Sequence, residues 1–174
     1  MACLAALKEE GKVRAIGISN VSIEQLDRYR VAGELASHQF RYSMLFRAPE
    51  DDVLPYCAEH NVASICYMSL EQGLLTGKVG PDRSFAAGDW RANAEQWLPW
   101  FRRENRQKLL DMFSGWQDLL EHHNCTIAQL VIAWTAAQSG ATHILCGLRT
   151  SDQGIEAAGA AAVLLSENDL QRIS

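Results

Sequence analysis

The sequence predicts an α/β fold made of βα units around a parallel sheet. Short β-branched or apolar runs alternate along it with longer segments of helical period, which is how parallel-sheet proteins read. Capping pairs also stand where several of the helices should begin. With 174 residues, 48% of them hydrophobic and 21% charged, the chain has apolar material for one core, so one domain is expected.

In order, Ala2 to Glu10 places Leu4 and Leu7 on one helical face, and Gly11 supplies a C-terminal stop before the apolar run Val13 to Ile18. Ser22 with Gln25 reads as a capping box opening a helix whose apolar face is Ile23, Leu26 and Tyr29. A short strand is expected at Ser37 to Phe40, then a helix over Glu50 to His60, weakened by Pro55, then a buried strand over Val62 to Tyr67. From Ser69 to Arg102 the run Gly73, Gly77, Gly80, Pro81, Gly88 and Pro99 predicts a long loop, and loops of that length inside a domain are usually functional or disordered. Glu104 to His122 resumes a helical period, and Thr126 with Gln129 caps a helix through Ala137. His143 to Cys146 is the last expected strand, Ser151 to Ala162 the helix after it, and Ser166 with Asp169 opens a final one. Four βα units result, and their chemistry belongs in the loops after Ile18, Phe40, Tyr67 and Cys146, because parallel strands bind ligands beyond their C-terminal ends.

Charge narrows the function. A net charge of -5 leaves no basic surface to neutralise a nucleic-acid backbone, so a nucleic-acid partner is not expected. The apolar stretches fall short of the ~20 residues of a spanning helix, and a cytoplasmic protein with no membrane partner is expected. Cys3, Cys57, Cys66, Cys125 and Cys146 form no CxxC pair and read as reduced thiols. His38, His60, His122, His123 and His143 fit no metal spacing, and no metal site is expected.

Four blocks carry chemistry. The first is Gly11-Lys12-Val13-Arg14-Ala15-Ile16-Gly17-Ile18-Ser19-Asn20, ending a strand on a hydroxyl and an amide; alone, it reads first as a polar strand end capping the next helix. Gln39, followed by Tyr42, closes the next strand, and Tyr67-Met68-Ser69-Leu70 closes the third. Gln72-Gly73-Leu74-Leu75-Thr76-Gly77-Lys78 follows, its glycines letting backbone amides approach a phosphate and its lysine adding a cation. The last runs from Ile144 through Gly147 and Arg149 to Gln153 at a helix N-terminus, where an anion is favoured. Together, in this order and spacing and over essentially the whole chain, these blocks resemble the aldo-keto reductases, closest to the bacterial inositol-utilisation and general-stress reductases through Gly88-Asp89-Trp90-Arg91 and Arg103-Glu104-Asn105.

The resemblance implies the C-terminal half of a (β/α)8 TIM barrel, about four parallel βα units plus a C-terminal helix, over residues 1-174 as a single partial barrel. It implies an NADPH-dependent reduction of aldehydes or ketones, with NADP as the cofactor. Ser19, Asn20 and Gln39 would hold the nicotinamide carboxamide and Tyr67 would stack on its ring; Gly73, Leu75 and Lys78 would meet the pyrophosphate. Gly147, Arg149 and Gln153 would take the 2′-phosphate and Glu156 the adenine amino group, although Ala157 replaces the usual Asn and weakens adenine recognition. Arg91 either helps close its loop over the cofactor or is solvated. No residue here matches the family's catalytic Asp, Tyr, Lys and His motifs, so no catalytic residue is assigned, and a truncated chain, inactive alone, is expected. A carbonyl substrate would need a completing N-terminal half. The alternatives are a non-catalytic half-barrel acting as an assembly module, including a homodimer through open barrel edges, and an inactive fragment.

Overall fold

Four strands, all parallel, make one sheet in the order β1-β2-β3-β4: Gly17–Ser19, Ser37–Arg41, Ala63–Tyr67 and His143–Ile144. They belong to a computed structural model that describes residues 1–173. The described residues divide into two compact units, residues 1–69 with 135–147 and residues 70–134 with 148–173.

The first unit holds the sheet and the helices α1 (Ala2–Glu9), α2 (Ile23–Val31) and α3 (Val53–Glu59). Gly11 ends α1 in the left-handed region at φ 73°, where a side chain would be strained, and the amides of Lys12 and Val13 both donate to the Leu7 carbonyl. That cap consumes the start of the expected strand, so β1 begins at Gly17 rather than at Val13. Gly17 also allows a close approach: a Cβ there would lie 2.3 Å from Ser37 Oγ on β2. The capping box of α2 forms, Ser22 Oγ accepting from the Gln25 amide at 3.3 Å and Gln25 Oε1 from the Ser22 amide at 2.9 Å. The third helix starts at Val53, with Asp52 as its cap, three residues after the expected Glu50. Pro55 then falls in the first turn, where no intrahelical acceptor exists for the amide it lacks, so it does not break the helix.

Neighbouring strands pair in register: Ser19 with Gln39, Gln39 with Ile65, Ile65 with His143, and Arg41 with Tyr67. Alternation therefore puts Ser19, Gln39, Ile65 and Tyr67 on one sheet face, and they are exposed or half-buried. His38, Phe40, Ser64 and Cys66 are buried on the other face, and α3 packs on β3 with Leu54 and Cys57 fully buried. Each large apolar side chain so buried contributes about 1.5–3 kcal/mol. The last strand, His143–Ile144, is shorter than the expected His143 to Cys146; beyond it the Leu145 amide still donates to the Cys66 carbonyl at 2.8 Å, and on its N-terminal side Ser64 and Thr142 exchange side-chain hydrogen bonds.

The second unit packs α4 (Arg103–Ser114), α5 (Gln117–His122), most of α6 (Ile127–Ala137), α7 (Ser151–Gly159) and α8 (Glu167–Ile173). The single helix expected over Glu104 to His122 is broken at Gly115, a poor helix former whose carbonyl accepts from Arg172 Nη2 at 2.9 Å. The expected loop from Ser69 to Arg102 contains three 3₁₀ turns, Glu71–Thr76, Trp90–Gln96 and Pro99–Phe101. Leu74, Leu75, Phe101, Phe113, Trp116, Leu130 and Trp134 form the core of this unit.

Candidate functional site

The sheet brings four of the expected site residues together at the C-terminal ends of adjacent strands. Ser19 ends β1 opposite Gln39, and the Asn20 amide donates to the Gln39 carbonyl at 2.9 Å. Asn20 turns left-handed at φ 53°, which an asparagine tolerates, and Met68 after β3 does the same at φ 60°. The side chains form a chain of hydrogen bonds: Tyr67 Oη donates to Asn20 Oδ1 at 2.9 Å, and Asn20 Nδ2 donates to Ser19 Oγ at 3.0 Å. The Gln39 amide side chain has no hydrogen-bond partner among the described residues. An open hydroxyl, two amides and a half-buried aromatic ring on one sheet edge suit a planar ligand carrying both a donor and an acceptor.

The expected phosphate-contacting residues lie in the second unit, except Gly147, which is exposed at the end of the first. Gly73 and Gly77 are left-handed at φ 97° and 73°, and a Cβ on Gly77 would meet Ile127 Cδ1 at 2.5 Å. Thr76 Oγ1 donates to the Gly73 carbonyl at 2.8 Å and accepts from the Lys78 amide at 3.2 Å, which fixes the turn. Leu75 is fully buried, and its amide donates to the Leu70 carbonyl, so it shapes the turn from beneath. Lys78 Nζ lies 3.4 Å from Glu156 Oε2, which joins two of the expected residues directly. α7 begins at Ser151 as expected, with Thr150 as its cap; Gln153 Oε1 accepts from the Arg149 amide at 2.8 Å, and the Arg149 side chain is exposed.

A group the sequence leaves undecided is built around Arg91. Its Nε and Nη2 grip the Asp89 carboxylate, Nη1 donates to the Gln72 carbonyl at 3.2 Å, and the guanidinium sits 4.6 Å from the Phe85 ring centroid. At 15% exposure this is not a solvated loop arginine. The Arg91 hydrogen bonds hold the Asp89 carboxyl down at about 2. Buried Glu71 and Arg106 are absent from the sequence-level site altogether, because their helical or loop contexts read as solvated charge. Among the described residues no group of three metal-ligating side chains forms, and no helix is long and apolar enough to cross a membrane.

The family described as "Aldo/keto reductase family" matches residues 1–174. The chain belongs to the aldo/keto reductase family. This aldo/keto reductase chain is similar to the NADH-specific methylglyoxal reductase of Escherichia coli (strain K12), being 41% identical over 169 residues, 97% of this chain and 50% of that protein. An aldo-keto reductase of Bacillus subtilis (strain 168) is 33% identical over 148 residues, 84% of this chain and 44% of that one. The structure of the glycerol dehydrogenase of Gluconobacter oxydans matches with a TM-score of 0.84 at 30% identity, over 98% of this chain and 50% of that chain. The chain thus spans about half the length of the relatives it matches. The aldo/keto reductase sheet of four parallel strands corresponds to part of a (β/α)8 barrel.

Proposed function

We propose that this chain forms the cofactor-holding part of a nicotinamide-dependent reductase of aldehydes and ketones. Residues 1–174 are read as one partial barrel, the C-terminal half, nearest to the bacterial inositol-utilisation and general-stress types. The observation that carries the reading is the row of side chains on one sheet edge: Ser19 in register with Gln39, and Tyr67 hydrogen-bonded to Asn20. That edge lies at the strands' C-terminal ends, where parallel α/β proteins bind their ligands.

In this reading Ser19, Asn20 and Gln39 hold the carboxamide of the nicotinamide, and Tyr67 presents its ring to the nicotinamide face. The donor set fits, since Ser19 Oγ keeps a proton to donate while Gln39 offers an unused donor and acceptor. Gly73, Leu75 and Lys78 shape the pyrophosphate turn; Gly147, Arg149 and Gln153 take the 2′-phosphate, and Glu156 the adenine. Lys78 is held at the site by Glu156 until a phosphate competes for it. The bound cofactor supplies the hydride. No residue of this chain matches the family's catalytic Asp, Tyr, Lys and His, so turnover on a carbonyl substrate belongs to the longer proteins that carry them.

NADPH is the expected cofactor because the Arg149 guanidinium has no ion pair among the described residues and stands beside the α7 N-terminus. The Escherichia coli relative is named as NADH-specific, so both nucleotides are tested side by side. Titration calorimetry on the folded chain should show NADPH binding, weakened about tenfold by Arg149→Ala, with NADH unaffected. A folded sample that binds neither nucleotide overturns the reading.

The half-buried sheet face carrying Ile65 and Tyr67 favours a second reading, a half-barrel that pairs with another copy. A monodisperse dimer in light scattering that binds no nucleotide supports it.

A further inference from the structure

The second unit also holds a cavity that shares Arg91 with the Gln72–Gly73 turn but is otherwise lined by residues not assigned to the cofactor. This cavity, of about 190 Å³, is walled by Arg83, Ser84, Phe85, Arg91, Glu95 and Arg106, among others. The volume is several water molecules' worth and well under the ~300 Å³ at which ligand-sized pockets begin, so the cavity suits a small ion rather than a nucleotide.

Two arginines of that wall are used differently. A guanidinium has a side edge, Nε with Nη2, whose parallel N–H bonds match a carboxylate or phosphate. In Arg91 this edge is filled by Asp89, with Nε to Oδ1 at 2.9 Å and Nη2 to Oδ2 at 2.5 Å, while Nη1 holds the Gln72 carbonyl. Arg106, in the first turn of α4, also spends Nη1 on backbone: it donates to the carbonyls of Gly80 at 3.1 Å and Arg83 at 2.8 Å. Its side edge is empty. Arg106 is only 9% exposed, Nε is buried with no partner, and Nη2 has no acceptor among the described residues. A buried, positively charged donor without an acceptor is costly, and an oxyanion laid on the edge removes that cost.

The surrounding charge points the same way. Arg83 and Arg106 have no ion pair among the described residues, Arg91 is neutralised by Asp89, and Glu95 is the one carboxylate among the lining residues. An excess of about one positive charge remains at the wall, and the Ser84 hydroxyl adds a donor.

We propose that the Nε/Nη2 edge of Arg106, assisted by Arg83, binds a small free oxyanion of the phosphate type. The site reproduces, with a diffusible ligand, the fork that Asp89 makes on Arg91.

The probe is inorganic phosphate, titrated calorimetrically into the whole chain with ionic strength held constant by chloride. One phosphate should bind, with a Kd on the order of 1 mM. Arg83→Gln, an exposed position outside the core, should weaken it about fivefold or more, and Arg106→Lys, which keeps the charge but loses the fork, should abolish it. Because Arg106 also pins the 80–83 segment, circular dichroism must show Arg106→Lys folded; if it is not, Arg83→Gln decides. Binding should persist in saturating NADPH. No phosphate uptake by the folded wild type, equal uptake by Arg83→Gln, or one-for-one displacement by NADPH, which would assign the edge to a nucleotide phosphate, each overturns the proposal.

Discussion

Tyr42→Phe is the sharpest test of how the β2 tip is held. Tyr42 is fully buried, its hydroxyl donates to Glu50 Oε1 at 2.7 Å, and the same carboxylate takes Arg47 Nε at 2.8 Å and Nη2 at 3.0 Å. Phenylalanine keeps the ring volume, so no cavity opens while the hydrogen bond to Glu50 is lost. A bond to a charged acceptor contributes about 1.5–3 kcal/mol. Glu50 remains 29% exposed and regains a water, which argues for the lower end, about 1.5 kcal/mol and roughly 3–6 °C in a domain of this size. Burial pushes the Glu50 carboxyl up, but its bonds to Arg47 and Tyr42 outweigh that and hold it below its ordinary range. A depressed carboxyl stabilises above its unfolded pKa and loses that contribution as pH falls through the folded value. Urea unfolding followed by tryptophan fluorescence should therefore separate wild type from Tyr42→Phe at pH 7 and narrow the gap as pH falls through the depressed folded value of Glu50. A gap under about 0.5 kcal/mol at pH 7, or one that does not narrow anywhere on acidification before wild type unfolds, refutes the argument, since neither is compatible with a charge-assisted bond.

Gly140→Ala should destabilise by about 2 kcal/mol or more, because the residue sits at φ 83° and a Cβ would lie 2.7 Å from the Leu54 carbonyl oxygen; a melt within a degree of wild type refutes this. Burial holds the His38 imidazole below its ordinary range, so the folded state resists a proton that the unfolded chain takes up near 6.5. Stability should thus fall as pH drops below ~6.5, by up to about 1.4 kcal/mol per unit, and His38→Phe should flatten that part of the urea-midpoint profile. On the proposed cofactor reading, Tyr67→Ala should weaken NADPH binding about tenfold in calorimetry while Tyr67→Phe, losing only the bond to Asn20, changes it less than about threefold.

What was legible in the sequence is what local chemistry decides. Ser22 with Gln25, Thr126 with Gln129 and Ser166 with Asp169 all form reciprocal caps, because each needs only its own four residues. Strand extents are not legible: whether Val13 or Cys146 joins a ladder depends on what the partner strand offers, and at Val13 the amide is instead spent on the Leu7 carbonyl that ends α1. The break at Gly115 likewise needs Arg172, fifty-seven residues away in sequence. The strand-end residues Ser19, Gln39 and Tyr67 stood out as motifs, whereas Arg106 in Arg103-Glu104-Asn105-Arg106 reads as a charged helix face. Only the carbonyls of Gly80 and Arg83 turn it inward.

Backbone strain separates the two kinds of turn in this chain. Among the described residues, six that are not glycine have positive φ: Asn20, Asn61, Met68, Glu71, Gln72 and Asn124. Asn61 and Asn124 follow α3 and α5, where an asparagine ends a helix at little cost, and they call for no function. Met68, Glu71 and Gln72 are not residues that favour the left-handed region, and each costs on the order of 1 kcal/mol to hold there. Met68 follows β3 directly and Glu71 and Gln72 open the 3₁₀ turn after it, on the side where a parallel sheet presents its ligand groups, and Asn20 stands at the matching end of β1. Glu71 is held with its side chain fully buried, and Gln72 by the Arg91 bond to its carbonyl, so the packing around these residues opposes their relaxation. On the proposed cofactor reading, this strain is that of a pre-formed binding loop, kept in place by the burial of Glu71 and the Arg91 bond to Gln72.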